Sequence, residues 1–503
     1  MKWMSRILCM ILACVMLLGV VGCRKKGDDA GGTTGSGVAD TTQDVTKLQP
    51  DEIFSLSSDV YYGEGKQFRM LLLDESLREK ATSEWYVGEE LTAEHNVVDK
   101  AVYTRNESVK ARLGIEFKYL WVTTKKDDIL TRYRRDADLN EFDICGLGAA
   151  QAPTLITEDL CYNLLEMPNL DLDKVWWGSR SGMAKDLTIN KKLYMISGDA
   201  SLMAQGKAMA CYVNVFKLRD YAKMEVSDLY DEINAGKWTI DRLLEISKSA
   251  SVNLDGNATW NEADFYGNNI YLATIIDNWF SAFDIDILTK DANGMLQIGM
   301  DATKMTTATE KLHALCYDDH RTYMTTDREA SESFFKSGHS VFTHGGFEWA
   351  ENFQDMNDDY GIIPYAKLNE NQEQYGATLS DVYTAFVVPK GCADPSFVGA
   401  VMETIGYYSY NVTTPAYYET LLKVRSTRDE ESKAMLDLIH DVIDYNPGFV
   451  YSTDLGKPGQ AFRTLLAKGN QYEGNYTSWW QSTVGGVTLG LNKMIAFYYP
   501  EMN

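Results

Sequence analysis

Cysteine, histidine and proline are scarce in this chain: eight, six and ten among 503 residues. Cys9, Cys14 and Cys23 crowd the N-terminus. Cys145, Cys161, Cys211, Cys316 and Cys392 lie far apart, odd in number and without a CxxC pair. That excludes a disulfide framework and a zinc pattern. Most read as small buried hydrophobes, and Cys145 with Cys161 is left open as a pair. The histidines form no ligand cluster; His339 and His344 are simply near one another. Positive charge is in deficit, with 48 Lys and Arg against 72 Asp and Glu and a net charge of -24. Nucleic acid is therefore excluded as a partner, because phosphate binding needs a basic face. The acidity favours solubility. GxSxG, HExxH, GxxxxGK[ST] and GxGxxG are all missing, and in Gly178-Ser179-Arg180-Ser181-Gly182 an arginine stands where a nucleophile elbow needs serine. The expectation is a protein that is not an enzyme. A glycosidase needs only a pair of carboxylates, so an anchored glycan-degrading enzyme stays as an alternative.

Only one long apolar run exists, and it comes first. Lys2 and Arg6 precede the uncharged stretch Ile7 to Val21, and Val20-Val21-Gly22 leads into Cys23. A positive start, an apolar middle and small residues at the cut are the features of a signal peptide. The run is short for a membrane span. The pattern resembles the lipobox of bacterial lipoproteins, which implies cleavage after Gly22 and diacylglycerol on Cys23. Residues 23–65 then carry Gly27, Gly31, Gly32, Gly35 and Gly37 among Asp, Thr and Ser. Such a composition buries too little apolar surface to fold and reads as a flexible tether. The expected place is the outer face of the cytoplasmic membrane.

Beyond the tether, with hydrophobic residues at 45% of the chain, there is material for large cores. Phe68 to Leu73 reads as a buried strand. Val98, Val102, Val109 and Leu113 recur at helical spacing before Gly114, and Ile115, Phe117 and Tyr119 then alternate with charged residues. Phe142 to Cys145 is a third strand. This order predicts an α/β fold with a parallel or mixed sheet. Thr239 starts a helix, and Asp394-Pro395 another, with Phe397, Ala400, Val401, Thr404 and Ile405 along one face. Thr384 to Pro389 reads as a strand. Met435, Leu438, Ile439 and Val442 mark one more helix.

Several segments resemble one family. They are Arg112-Leu113-Gly114-Ile115-Glu116-Phe117, Glu141-Phe142-Asp143-Ile144, Ile189-Asn190-Lys191-Lys192-Leu193-Tyr194, Tyr212-Val213-Asn214-Val215-Phe216, Gly236-Lys237-Trp238-Thr239, Phe334 to Phe342, and Tyr360-Gly361-Ile362-Ile363-Pro364. In this order they resemble the extracellular solute-binding proteins of ABC importers, in the carbohydrate-binding, maltose-binding-protein-like branch. Lys191 and Val215 stand where that family usually has glycine and lysine. The resemblance implies a two-lobed periplasmic-binding-protein-like fold of type II, with the ligand cleft between the lobes and hinge crossings. Lobe 1 is expected over 66–190 plus 375–425, and lobe 2 over 191–374 plus 426–503. It further implies a monomer that closes on a carbohydrate, with an oligosaccharide expected, and presents it to an ABC permease, with no cofactor required. A peptide or other solute, or a sensor role, remains as an alternative.

A sugar site needs aromatic platforms and directional polar partners. The chain has eleven tryptophans, one of them Trp3, and thirty tyrosines. Candidate ligand-binding residues are Trp85, Trp177, Asp199, Trp279, Trp349, Asp381, Tyr383 and Arg425; each tryptophan is equally suited to a core. A second pattern is a degraded calcium loop. Asn253, Asp255, Asn257, Thr259, Asn261 and Asp264 alternate as calcium ligands do, although a solvated Asn/Gly turn accounts for them as well.

Overall fold

The computed structural model describes residues 56–502 apart from 64, 79, 82, 179–181, 381, 423–429 and 470–474. The signal peptide, Cys23 and most of the tether lie outside the described residues, as do Asp381 and Arg425.

Strand β1 (Lys66–Leu73) leads into a loop and then the helix Val97–Leu113. That helix starts on a reciprocal cap. Asn96 Oδ1 accepts from the backbone N–H groups of Val98 and Asp99, and Asp99 Oδ2 accepts from Asn96 N at 3.0 Å. It stops at Gly114, whose φ of 70° is the left-handed conformation glycine adopts freely. β2 (Ile115–Val122) then pairs parallel to β1 in full register, Lys66 opposite Ile115 and Leu73 opposite Val122. β3 (Ile144–Gly148) pairs parallel on the other side of β1.

The chain then leaves this sheet. After a crossing over 189–208 it enters a second sheet at β4 (Met209–Asn214), followed by β5 (Tyr266–Tyr271), a side hairpin of β6 (Leu288–Lys290) with β7 (Leu296–Ile298), β8 (Thr322–Thr325), β9 (Ser340–Gly346) and β10 (Tyr360–Ile363). Its order is β10-β4-β9-β5-β8, antiparallel on one side of β9 and parallel on the other. The return runs through β11 (Ala377–Thr378) to β12 (Thr384–Val387), which closes the first sheet by pairing antiparallel to β3. The fold is thus α/β with two mixed sheets of order β12-β3-β1-β2 and β10-β4-β9-β5-β8.

The crossings are themselves stitched together. Ala208 bridges Leu379, and Ile196 bridges Phe386. Helices Pro395–Tyr408 and Thr414–Leu422 pack on Val97–Leu113 beside the first sheet; Glu430–Asp441 packs on β10 beside the second. Asp394 Oδ1 caps Pro395–Tyr408 from Phe397 N, and Thr239 caps Ile240–Ala250, as their sequence signals require. The last long helix, Tyr476–Tyr498, packs on Ala302–Tyr317 and ends on the outgoing crossing, where Tyr498 O accepts from Asn190 Nδ2 at 2.7 Å and Lys192 Nζ at 3.0 Å. Contacts of this kind make Glu52–Asn503 one compact unit. Cys145, Cys161, Cys211, Cys316 and Cys392 are all free thiols, so the pairing of Cys145 with Cys161 is not formed. Among the described residues no helix is long and apolar enough to cross a membrane.

β13 (Ile443–Asp444) lies parallel to β11, at the junction of the returning crossing with the C-terminal part. Asp444 is set beside Asp186 and Asp286 there, and its Oδ2 accepts from Ser281 Oγ at 3.3 Å. Loss of water, reinforced by the two neighbouring carboxylates, pushes Asp444 up to about 7. An unfolded aspartate titrates near ~3.9. The folded chain therefore holds this proton more tightly, and the group's contribution to stability is full below the unfolded value and is lost as pH rises through about 7. Melting temperatures at pH 5 and pH 8 check this: Asp444→Asn should raise the melting point by a few degrees at pH 8 and much less at pH 5, whereas an equal effect at both would contradict it.

Candidate functional site

A cavity of about 840 Å³ opens where the two sheets and the outgoing crossing meet. From the first sheet's side come Lys80, Glu84 and the capped helix start Asn96 to Asp99. The crossing supplies Leu202, Met203, Gly206 and Lys207. Arg328, Glu348, Glu351 and Asn352 come from the second sheet's side, and Tyr417 and Thr420 from Thr414–Leu422. Such a volume suits a small-molecule ligand.

The wall is built from paired charges. Lys207 Nζ donates to Glu348 Oε1 at 2.6 Å, and Arg328 Nη1 lies 3.6 Å from the same oxygen. Arg328 Nε also holds Glu332, whose other oxygen accepts from Asn352 Nδ2 at 2.7 Å. Lys80, from the first sheet's side, forms an ion pair with Glu351 of the second. Burial raises the Glu348 carboxyl, opposed by Lys207, Arg328 and Lys80. Glu84 is buried and fully engaged: Ser201 Oγ and Met203 N donate to Oε1, and Thr384 Oγ1 donates to Oε2 at 2.7 Å.

The aromatic candidates sit elsewhere. Trp85 is buried against Phe386 and under the Arg105 guanidinium, 4.6 Å from its ring. Trp177 is buried and donates through Nε1 to Glu403 Oε2 at 2.9 Å. Trp279 packs on Phe283, His344 and Tyr365 inside the second lobe; burial lowers His344 to about 3, so that imidazole stays neutral. Trp349 lies behind the cavity wall on Gly345, with Arg328 5.5 Å from its ring. Tyr383 and Asp444 line a separate small void of about 20 Å³. Asp199 accepts from Gln205 Nε2 at 2.8 Å and Thr414 Oγ1 at 3.1 Å. Trp177 and Asp199 are brought together, because a Cβ on Gly198 would lie 2.9 Å from Trp177 Cα. None of these residues lies on the wall of the large cavity.

The cavity-wall residues that the sequence left unmarked include their polar neighbours. Glu84 precedes Trp85, and Glu348 precedes Trp349. After β9 the chain turns through Phe347 into the short helix Trp349–Asn352. Residues three and four apart share a helix face, so Glu348, Glu351 and Asn352 look into the cavity while Trp349 turns to the core.

The Asn/Asp loop closes on itself. Asn253 Oδ1 accepts from Gly256 N, Asp255 Oδ1 from Asn257 N, and Asn257 Oδ1 from Thr259 N. Asn261 Oδ1 accepts from Ala263 N, and Asp264 takes Leu254 N and Asn261 N at 2.9 Å each. Among the described residues no group of three or more His, Cys, Asp and Glu is placed to hold a metal.

No described protein family and no curated relative matches the sequence. Solved structures do match in fold. The cyclic alpha-maltosyl-1,6-maltose binding protein from Arthrobacter globiformis aligns over 86% of this chain and 99% of its own, at a TM-score of 0.54 and 14% identity. The GacH receptor of Streptomyces glaucescens, solved unliganded and with acarbose, aligns over 87% and 99%, at 0.52 and 13%. An ABC transporter solute-binding protein from Thermotoga lettingae, bound with alpha-D-tagatose, aligns over 85% and 100%, at 0.52 and 10%. The chain therefore has the two-lobed α/β fold of ABC-transporter solute-binding proteins.

Trp177 supplies the test of this division between core and wall. Trp177→Phe removes a hydrogen bond to a buried carboxylate, a loss of about 1.5–3 kcal/mol. The melting temperature should fall while ligand affinity stays unchanged; a tenfold loss of affinity without a change in melting would place Trp177 in the site instead.

Proposed function

We propose that the protein captures a carbohydrate in the 840 Å³ cavity and hands it to an ABC transporter permease, tethered to the outer face of the membrane through Cys23. The observation that carries this reading is the cavity itself: it lies between two sheets joined by crossing strands, and both sides contribute fixed hydrogen-bonding groups. A ligand bridging the two sides favours their approach, which is how hinge closure is driven. Sugar hydroxyls match a wall of paired carboxylates and cations, since each donates to one and accepts from the other. The solved structures of like fold include proteins bound to acarbose and tagatose. The Cys23 anchor and the permease rest on the N-terminal sequence and on the family resemblance. Binding without turnover fits the missing enzyme motifs. The reading does not depend on calcium at the loop 253–264.

A thermal-shift screen against mono- and oligosaccharides and a peptide panel, with product analysis of each hit, tests it. A ligand that binds only the folded state stabilises it by about 2.7 kcal/mol at a hundredfold excess over Kd, which raises the melting temperature by several degrees. One glycan class should give that shift and be recovered intact. Cleaved glycan, or a response to peptides alone, would overturn the assignment.

A further inference from the structure

Three carboxylates meet at the joint between the two halves, away from the large cavity. Asp186 lies on the short helix Met183–Leu187, just ahead of the outgoing crossing. Asp286 precedes β6, and Asp444 ends β13, which pairs with β11 of the returning crossing. One stretch of three residues gathers them. Tyr445 N donates to Asp186 Oδ2 at 3.4 Å, Asn446 Nδ2 donates to Asp286 Oδ1 at 2.8 Å, and Asp444 Oδ2 accepts from Ser281 Oγ at 3.3 Å. The surrounding cations are Lys185, next to Asp186, Lys290, whose Nζ donates to Thr188 O at 2.9 Å, and Lys304, which pairs with Asp284. Among the described residues none of these cations forms an ion pair with Asp186, Asp286 or Asp444. Asp444 follows the helix that packs on the second sheet, yet part of its cover comes from the first sheet's side. Ala149 and Ala150 after β3, and Tyr383 before β12, wall the void of about 20 Å³ beside it, together with Tyr445. Parting of the two halves therefore admits water to Asp444 and carries Asp186 away from it.

Resting on the reading of a protein that closes on its ligand, we infer that Asp186, Asp286 and Asp444 form a proton-linked switch in the hinge: closure takes up a proton, and a rise in pH favours the open form and release of the ligand. Asp444 is the member that holds the proton. Loss of water, then the charges of Asp186 and Asp286, push it up to about 7 in the closed arrangement. Burial raises Asp186 and Asp286 as well. On opening, water returns and Asp186 departs, so Asp444 falls back towards the ordinary value of ~3.9. Between those two values the closed form binds more protons than the open one. Affinity is therefore greatest at acidic pH, declines as pH rises, and levels off above about 7.

Calorimetric titration of the mature chain with the saccharide that gives the largest thermal shift tests the switch. The parent should bind about tenfold or more tightly at pH 5 than at pH 8, since each unit of difference between the open and closed values is worth a factor of ten. It should also take up protons on binding at pH 6, read from the dependence of the binding enthalpy on the buffer. Asp444→Asn should bind equally at both pH values and take up none, and Asp186→Asn should keep a smaller pH dependence than the parent. Equal affinity at pH 5 and pH 8 in the parent, or an unchanged pH dependence in Asp444→Asn, would overturn the switch and leave the carbohydrate reading standing. If no saccharide binds, the carbohydrate reading fails and small-angle scattering of the ligand-free chain decides the hinge. A radius of gyration larger at pH 8 than at pH 5 in the parent, and constant in Asp444→Asn, supports the switch; a parent radius that does not change with pH overturns it.

Discussion

A single buried carboxylate ties the two halves of this molecule to their crossings. Glu84 follows the first strand of the first sheet, yet its acceptors are spent on Ser201 and Met203 of the outgoing crossing and on Thr384 of the returning strand. Thr384 Oγ1 in turn accepts from Arg78 Nη2 at 2.7 Å, and Arg105 Nη2 donates to the Glu84 carbonyl at 2.9 Å. Removing one of these donors leaves a buried carboxylate oxygen short of a partner, at a cost of about 1–3 kcal/mol. The knot also forms part of the cavity wall. The same residue thus serves both the fold and the cavity wall. The chain around Glu84 also places Lys80 opposite Glu351.

Each cation on the cavity wall faces a carboxylate, although the chain as a whole is strongly acidic. Lys207 and Arg328 share Glu348, and Lys80 meets Glu351 across the gap. A net charge of -24 would otherwise repel anionic ligands and gather cations. Pairing on the wall leaves hydrogen-bonding directionality as its main signal, which suits a neutral, hydroxyl-rich ligand. The exposed Lys80–Glu351 pair adds little stability. Its use is geometric: it spans from the first sheet's side to the second.

Much of the framework is readable along the chain because its signals are local. Asn96 and Gly114 bound one helix, Asp394-Pro395 starts another, and Thr239 starts a third, each by a hydrogen bond within four residues. Strands β1 and β2 carry their apolar patterns openly. β3 begins at Ile144 rather than Phe142, a boundary set by pairing with β1. The cavity is a different matter. Its wall draws on residues from Lys80 to Thr420, and no spacing rule connects them. Aromatic residues mislead for a physical reason: Trp offers more apolar area to a core than to a wet cleft. Trp85, Trp177, Trp279 and Trp349 all follow that course. In two places the sequence pointed within one residue of the wall, at Trp85 for Glu84 and at Trp349 for Glu348. The missing information was the turn that decides which neighbour faces inward.

Hydrogen exchange with and without bound saccharide tests the central claim most directly. If the ligand is held between the two sheets, amides in 80–84 and 96–99 of the first side, 202–207 of the crossing and 348–352 of the second should all slow together. Protection confined to one sheet, or lying away from these segments, would contradict a ligand enclosed between the lobes.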